Sequence, residues 1–385
     1  RPLGSFHDEY RLIARLGQGA FASVHLAKAS GGEYLAVKIT DLRRRGSTGW
    51  TCSQLDTKKW ECASKEKSIL DKVAGLEHVV KCFGSFVEGG MSYILMEKCD
   101  MGLYQALTRR QSSLTEASVA QTFSEMLKGI AVVHGVGVVH RDVKPDNFMV
   151  SGVEGTVKLC DFGLAAIVDP SHNASAPVLK GIFGTPPYMA PEMVLGSSYG
   201  AKVDVWSLGV IVYLLFFGKF PYQPVKPTGA AMKAAIVAGV PAPTFTLDGR
   251  TSQRGSMPFS HHALWFSRLL LERAPGHRMK AKDALRHAFF DMPLSERGTA
   301  SLRPMLHSAK RMGAFSPPCH DEPSSPSNME RRLAELQEQR QKPDEPPATV
   351  KAFEGRRRCR DSPSDTTSST GVGSEGDLFG ASMIT

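Results

Sequence analysis

The sequence predicts an α+β fold in two unequal parts, a small part of mainly antiparallel strands with one helix and a larger, mainly helical part. Three observations predict it. Short runs of alternating apolar and polar residues fill residues 10–97, helical patterns fill residues 103–290, and the composition changes at about residue 291. With 385 residues, 42% of them hydrophobic, the chain can bury a sizeable core in one large or two modest domains.

The first strands enclose a glycine-rich loop. The alternating runs YRLIARLG, SVHLAKA, EYLAVKIT and MSYILME are typical of antiparallel strands. In LGQGAFASV, residues 16–24, Gly17 and Gly19 leave backbone N–H groups open to a phosphate. The next residues alternate like a strand, which predicts a strand–loop–strand flap and not a dinucleotide fold. Taken alone, an ordinary hairpin turn explains these glycines as well.

Two charged residues lie on elements that are otherwise apolar. Lys38 in YLAVKI has apolar neighbours on both sides, so it needs an anion unless it reaches solvent from an edge strand. Glu66 lies on the apolar stripe of the helical segment 57–74, where a carboxylate needs a cation. The pattern therefore predicts an ion pair between Lys38 and Glu66.

The larger part contains a polar loop between apolar segments. Two short strands, at about Phe148–Val150 and Val157–Leu159, interrupt the helical pattern. The longest apolar run, residues 205–217, is too short to cross a bilayer and predicts a buried core helix. The stretch VVHRDVKPDNFMV, residues 138–150, places its polar side chains between apolar flanks, as expected for a site loop that the core holds rigid.

The two ends of the chain differ from its middle. Residues 1–9 are predicted to be an N-terminal extension. Residues 291–385 are rich in Pro, Ser and Thr, which predicts a disordered tail. Within this tail, residues 329–341 have the spacing of a short helix that needs a partner to be stable.

Cysteine usage and charge indicate the compartment and the kind of ligand. The seven cysteines form no C-x-x-C pair, which indicates a reducing, intracellular compartment, with the cytoplasm expected and the nucleus as the alternative. The net charge of +9 suits phosphates and would also suit nucleic acid. Because no basic motif with interleaved aromatic residues occurs, we expect neither a nucleic-acid partner nor a membrane span.

A series of motifs occurs in one order along the chain. They are GQGAFASV, AVK (36–38), Glu66, HRDVKPDN (140–147), DFG (161–163), APE (190–192), DVWSLG (204–209) and Arg278 in RAPGHRM. Across residues 10–290 the chain therefore resembles a eukaryotic protein kinase. The resemblance implies the bilobal protein kinase fold, with an N-lobe at 10–97 and a C-lobe at 98–290.

The resemblance also implies a reaction, the transfer of the γ-phosphoryl group of ATP with Mg²⁺ as cofactor. Asp142 would orient the substrate hydroxyl, and Lys144 would neutralise the group in transfer. Lys38, held by Glu66, would bind the α- and β-phosphates. The implied Mg²⁺ ligands are Asn147 and Asp161.

The implied nucleotide site lies between the two lobes. Met96 would be the gatekeeper, and the backbone of residues 97–99 would bind the adenine. The implied ATP-binding residues are Leu16, Gly17, Gln18, Gly19, Ala20, Phe21, Ala22, Ser23, Val24, Ala36, Lys38, Met96, Glu97, Cys99 and Met149.

Two further features of the resemblance concern substrate class and subgroup. Lys144, together with Thr185 in GTPPYMAPE, resembles serine/threonine kinases, so protein substrates with Ser or Thr acceptors are implied and Thr185 joins the catalytic set. The phrases VKPDNFMV and RHAFF are most similar to the calcium/calmodulin-dependent kinase group.

Arg141 concerns regulation. In the resemblance, this residue implies control by a phosphate that an upstream kinase places on the activation segment. The position of the usual acceptor is Gly181, however, which leaves Ser171 and Ser175 as candidates and activation without phosphorylation as the alternative.

The rival interpretation is a catalytically weak pseudokinase that acts as a nucleotide-binding scaffold. Its sequence signature would be the loss of Lys38, Asp142, Asn147 or Asp161, and all four are present. The sequence therefore favours an active enzyme.

Overall fold

The computed structural model describes residues 5–19, 22–44, 55–109, 114–169, 177–226, 228–245 and 259–315. The strands are β1 (Tyr10–Gln18), β2 (Ala22–Ala29), β3 (Tyr34–Asp41), β4 (Cys82–Glu88), β5 (Met91–Glu97), β6 (Met101–Gly102), β7 (Val138–Val139), β8 (Phe148–Ser151), β9 (Thr156–Leu159) and β10 (Ala166–Ile167). The helices are α1 (Phe6–Glu9), α2 (Thr57–Lys72), α3 (Leu103–Arg109), α4 (Glu116–Gly135), α5 (Pro191–Val194), α6 (Lys202–Phe217), α7 (Gly229–Ala238), α8 (His261–Leu270), α9 (Ala281–Ala284), α10 (Ala288–Asp291) and α11 (Arg303–Arg311).

The N-terminal part is a five-stranded antiparallel sheet in the order β1-β2-β3-β5-β4, as the alternating runs predict. Lys38 on β3 pairs with Val24 on β2 and with Ile94 on β5. β3 is thus the central strand, and Lys38 does not reach solvent from an edge strand. The ends of β1 and β2 flank the glycine-rich loop, which confirms the predicted strand–loop–strand arrangement.

The sheet packs its outer face over a small apolar core that includes α1. Phe6 is fully buried, and its ring stacks on Tyr93 with 4.1 Å between the centroids. Ser5 Oγ also donates a hydrogen bond to Glu88 Oε2 at 2.6 Å. Residues 5–9 of the predicted N-terminal extension therefore pack on the sheet, and Phe6 fills its core.

Helix α2 lies on the other face of the sheet and confirms the helix predicted at 57–74. The Asp56 carboxylate accepts the N–H groups of Lys58 and Lys59, which caps the first turn. Its apolar stripe buries Ile69 and Leu70 and brings Glu66 inward. Local capping and the apolar periodicity together account for this helix.

The helical part is built around α4 and α6. All residues of α6 except Lys202 are buried, which confirms the core helix predicted from the apolar run. Glu116, at the start of α4, is fully buried and accepts hydrogen bonds from Ser260 N at 2.6 Å, from Ser260 Oγ at 2.7 Å and from Gly298 N at 2.9 Å. In the described ranges, no helix combines the length and apolar character that crossing a bilayer requires.

The folded part continues beyond residue 290. The predicted disorder is wrong for residues 291–315, because α11 packs Met305, Leu306 and Ala309 against α6. Proline at the start of α11 is compatible with a helix, since the first turn needs no donor there. The remainder of the predicted tail, including the helix predicted at 329–341, lies outside the described residues.

Candidate active site

A buried carboxylate on α6 holds the polar loop at 140–147 through the loop's backbone N–H groups. Asp204 on α6 is fully buried and accepts the backbone N–H groups of His140 and Arg141, each at 2.8 Å, and contacts His134 Nε2 at 2.8 Å. Burial would raise the pKa of Asp204, but the contact with His134 and the N–H donors lower it below its ordinary value. The loop therefore rests on an ionised anchor. Asp204 lies in the motif DVWSLG, but the sequence does not indicate this role.

Three of the predicted residues in this loop and one from a distant segment form one hydrogen-bonded group. Thr185 Oγ1 donates to Asp142 Oδ1 at 2.8 Å and accepts from Lys144 Nζ at 3.0 Å. Lys144 Nζ also contacts Asp142 Oδ2 at 2.8 Å, and Asn147 Nδ2 donates to the Asp142 carbonyl at 2.7 Å. Asp142, Lys144 and Thr185 thus hold one another in place although Thr185 lies more than forty positions along the chain.

Lys38 bridges two carboxylates from different parts of the fold. Its Nζ lies 2.6 Å from Glu66 Oε1 and 2.8 Å from Asp161 Oδ1. Burial alone would lower the pKa of Lys38, but the two carboxylates together raise it. Burial raises the pKa of Glu66 despite the Lys38 charge, whereas the pKa of Asp161 is lowered because Lys38 outweighs the effect of burial. The predicted Lys38–Glu66 pair is present, and Asp161 completes it.

Asp161 and Asn147 approach each other through Cys160. Cys160 N donates to the Asn147 carbonyl at 2.9 Å, and the Cys160 carbonyl lies 3.0 Å from His140 Nε2. Asp161 has a φ of 61°, an uncommon value that turns the chain sharply toward Lys38. Phe162 is buried and packs edge-on against His140, with 5.1 Å between the ring centroids. The two rings therefore join the polar loop to the segment that carries Asp161.

The donor chemistry of this corner suits a hard cation. Asn147 uses its Nδ2 group toward Asp142, which leaves Oδ1 as its oxygen ligand, and Asp161 has a half-exposed carboxylate. Mg²⁺ prefers such oxygen ligands, few in number and completed by water and phosphate. Among the residues with described coordinates there is no group of three or more His, Cys, Asp or Glu side chains arranged to hold a metal. The set thus fits a cation shared with a phosphate.

The predicted nucleotide site lines the end of the sheet. In the register, Gly17 pairs with Val24 and Ala36 pairs with Met96. Val24 pairs with Lys38 on β3, so the row of Ala36 lies two positions further from the glycine-rich loop. On the opposite side, β6 pairs with β8, which sets Gly102 against Met149. Ala36 is buried and Met149 is partly exposed. The remaining predicted loop residues in the described ranges are Leu16, Gln18, Gly19 and Ala22.

Two of the predicted nucleotide-site residues have side chains that are engaged by other residues of the protein. Ser23 is buried with its hydroxyl 2.9 Å from His25 Nε2, so this hydroxyl is engaged within the sheet. The Glu97 carboxylate is occupied by Lys158 Nζ at 2.6 Å and by Lys81 N at 2.7 Å. Ala20 and Phe21 lie outside the described residues.

The two cysteines near this site, Cys99 and Cys160, are thiols whose surroundings exclude water. Burial, reinforced by the charge of Glu97, raises the pKa of Cys99 to about 11. Burial also raises the pKa of Cys160. Both groups remain protonated near neutral pH, which suits buried structural thiols and not reactive ones.

Comparison with known proteins agrees with this geometry. The family model of the protein kinase domain matches residues 10–290. The chain is 29% identical over 313 residues to the serine/threonine-protein kinase MST20 of Pyricularia oryzae, which covers 81% of this chain and 30% of that protein. It is 32% identical over 220 residues to the serine/threonine-protein kinase ppk11 of Schizosaccharomyces pombe, which covers 57% of this chain and 65% of that protein.

A plant protein matches over a longer stretch. The chain is 30% identical over 297 residues to calcium-dependent protein kinase 27 of Oryza sativa subsp. japonica, covering 76% of this chain and 44% of that protein. The chain spans less than two thirds of the length of each of these relatives. The antiparallel sheet, the helical part and the matched range together confirm the predicted bilobal fold, and the chain belongs to the protein kinase family.

Proposed function

We propose that this chain is a serine/threonine protein kinase that transfers the γ-phosphoryl group of ATP to Ser and Thr hydroxyls of protein substrates. The observation that carries the proposal is the contact of Thr185 Oγ1 with both Asp142 and Lys144. It joins the loop that bears the acidic residue to the segment that would receive a substrate. The names of the relatives, serine/threonine-protein kinases in two cases, support the same acceptor class.

The residues have complementary roles in this proposal. The carboxylate of Asp142 orients the acceptor hydroxyl. Lys144 places a positive charge beside this carboxylate, with 2.8 Å between Lys144 Nζ and Asp142 Oδ2. Lys38, fixed by Glu66, binds phosphate oxygens. A protein kinase domain uses ATP, generally with Mg²⁺, and the cation supplies further positive charge when it is bound by Asn147 and Asp161. Positioning and electrostatic stabilisation of this kind account for most of the rate enhancement in phosphoryl transfer.

The test is transfer of labelled phosphate from γ-labelled ATP, in the presence of Mg²⁺, to a panel of Ser, Thr and Tyr peptides. The expected result is transfer to Ser and Thr peptides by the native chain and a loss of about 10²–10³-fold in kcat for Asp142→Asn. Asp71→Asn makes the same chemical change on an exposed surface of α2 and is the matched control.

Each other outcome has a definite meaning. Transfer to Tyr alone would contradict the acceptor class. Equal rates for the native chain and Asp142→Asn would remove Asp142 from the mechanism. Tight ATP binding without transfer, even after an upstream kinase is added, would favour the pseudokinase scaffold.

Subgroup, regulation and location complete the proposal. The phrases VKPDNFMV and RHAFF support membership of the calcium/calmodulin-dependent group, and the rice relative, named as calcium-dependent, is compatible with it. The other names span different kinds of kinase. The candidate phosphorylation sites Ser171 and Ser175 lie outside the described residues. The cysteine pattern supports a cytoplasmic location.

A further inference from the structure

Arg141 is a buried cation with neutral partners. Only 8% of its surface is exposed. Its guanidinium donates to the Leu164 carbonyl at 2.7 Å, to the Ala165 carbonyl at 3.4 Å and to the Tyr199 hydroxyl at 3.4 Å. Within the described parts of the chain, no carboxylate contacts this guanidinium. Since a buried charge normally requires an anion, something else must compensate Arg141.

The ring of Phe183 lies on the face of this guanidinium. The distance from the Arg141 Cζ atom to the ring centroid is 3.9 Å, well within the range of a cation–π contact. The hydrogen bonds use the edge of the guanidinium plane and the ring covers its face. Phe183 and the three oxygen acceptors together therefore surround the cation without an anion.

Gly181 makes room for the ring. A Cβ atom at this position would lie 2.6 Å from Cε2 of Phe183, and its φ of +95° is one that side chains rarely adopt. Position 181 is also where the sequence resemblance places a phosphorylated threonine. The aromatic ring thus fills the space that a side chain at 181 would occupy.

The next two residues continue the contact toward the reacting groups. A Cβ atom at Gly184 would collide with the Arg141 carbonyl oxygen, so this glycine packs directly on the backbone of the polar loop. Thr185 follows and donates to Asp142 Oδ1 at 2.8 Å. Residues 183, 184 and 185 therefore meet the side chain of Arg141, its carbonyl and the carboxylate of Asp142 in turn.

We propose that Phe183 is a positioning residue whose stacking on Arg141 holds Thr185 against Asp142, so that this part of the segment is ordered without a phosphate. The proposal rests on the proposed kinase function and adds to it an unphosphorylated, active arrangement. Phe183 acts through Arg141 and Thr185 and does not itself touch the reacting atoms.

The test uses the full chain treated with a phosphatase and compares Phe183→Leu with Phe183→Tyr. Leucine keeps apolar bulk but has no π-face, whereas tyrosine keeps the ring. Phosphatase treatment should leave kcat of the native chain unchanged. Phe183→Leu should lower kcat about tenfold, the effect of losing one partly buried cation–π contact, with the KM for ATP unchanged. Phe183→Tyr should stay within about twofold of the native kcat.

A second measurement separates this proposal from the kinase function itself. Amide hydrogen exchange at residues 181–185 should be faster in Phe183→Leu than in the native chain and Phe183→Tyr, whether or not the chain transfers phosphate. Thermal unfolding of each variant is the control for an intact overall fold. In one outcome the three chains differ in exchange as expected while the native chain transfers no phosphate. That result would refute the kinase function but would still support the ordering role of Phe183.

Two results would overturn the proposal. The first is a Phe183→Leu variant with native kcat and native exchange, since the stack would then order nothing. The second is loss of activity of the native chain on phosphatase treatment, since a phosphate would then be required.

Discussion

Lys38 connects three elements of the fold through a single ammonium group. It extends from the central strand β3 and contacts Glu66 of α2 and Asp161 of the DFG segment. A buried carboxylate without this cation would be costly, and Glu66 already has a raised pKa from burial. The Lys38 ammonium group therefore keeps both of its carboxylate partners only when α2 and the DFG segment are both in place.

Asp204 shows how one residue can fix a loop. It accepts two consecutive backbone N–H groups, and His134 lies on its remaining side. An asparagine in this place would turn an N–H₂ group toward a donor, which leaves a buried donor unsatisfied. We expect Asp204→Asn to lower the free energy of unfolding by about 1–3 kcal/mol, measured by urea unfolding. Asp71→Asn, on an exposed surface, should change it by less than about 0.5 kcal/mol.

The pKa of Asp204 gives this effect a defined pH dependence. Because its pKa is lowered in the folded state, its contribution is complete above the ordinary value of about 4 and is lost as the pH falls through the folded value. The difference between the native chain and Asp204→Asn should be constant between about pH 5 and 7 and narrow below about pH 4. A difference independent of pH down to full acid unfolding would contradict the role of the ionised form.

At the scale of elements, the segment that follows α10 belongs to the helical part. The Tyr188 hydroxyl donates to the Ala314 carbonyl at 2.9 Å, and the ring of Phe315 packs on Tyr104 with 4.8 Å between centroids. Tyr188 ends the short 3-10 turn that begins after Thr185, and Tyr104 lies on α3. This segment therefore supports two elements beside the active site, although it lies outside the matched range of the family.

We expect Phe315→Ala in the full chain to lower the free energy of unfolding by about 3 kcal/mol, because a buried aromatic side chain is lost. Tyr188→Phe should cost about 1 kcal/mol, the net value of one hydrogen bond. Leu294→Ala, at a position with 75% exposure, is the control and should have an effect below about 0.5 kcal/mol. Urea unfolding measures all three. Equal stability of Phe315→Ala and the control would show that the segment is not packed in solution.

The sequence predicted the elements with strong local signals and missed those that depend on distant contacts. The strand alternation, the stripe of α2 and the apolar run of α6 each define their element without knowledge of the rest. The ordered segment at 302–315 was missed because the tail that follows it is rich in Pro and Ser, and because its apolar residues are buried by distant elements that include α6 and α3.

The candidate site divides in the same way. The Lys38–Glu66 pair followed from two buried charges that needed each other. The stack of Phe183 on Arg141 could not be predicted, because no local pattern tells which group will compensate a buried arginine.

At the scale of the whole molecule, one buried ion pair joins the segment that ends in APE to the last helices. Arg278 is fully buried, and its guanidinium contacts Glu192 at 2.6 and 3.2 Å and the Glu272 carbonyl at 2.7 Å. Its Cζ atom also lies 4.9 Å from the Trp206 ring. The pair therefore links α5, α6 and the loop before α9.

We expect Arg278→Met to destabilise the chain by about 3–5 kcal/mol, because Glu192 would be left buried without its cation. The double variant Glu192→Met with Arg278→Met should recover part of this loss, since neither charge then remains unpaired. Urea unfolding of the single and double variants gives the coupling between the two residues. A double variant less stable than the sum of its single variants would contradict this explanation.

The buried carboxylate of Glu116 also imposes an order on biosynthesis. Its donor Gly298 lies 182 positions further along the chain and leaves the ribosome long after α4 has been made. At roughly 5–20 residues per second, this interval lasts on the order of 10–40 s. During this interval Glu116 lacks one of the donors that it has in the finished fold. The apolar faces of α6 are also not yet covered by the helices that follow it. We therefore expect the nascent chain to expose apolar surface that chaperones bind until residue 298 has been made.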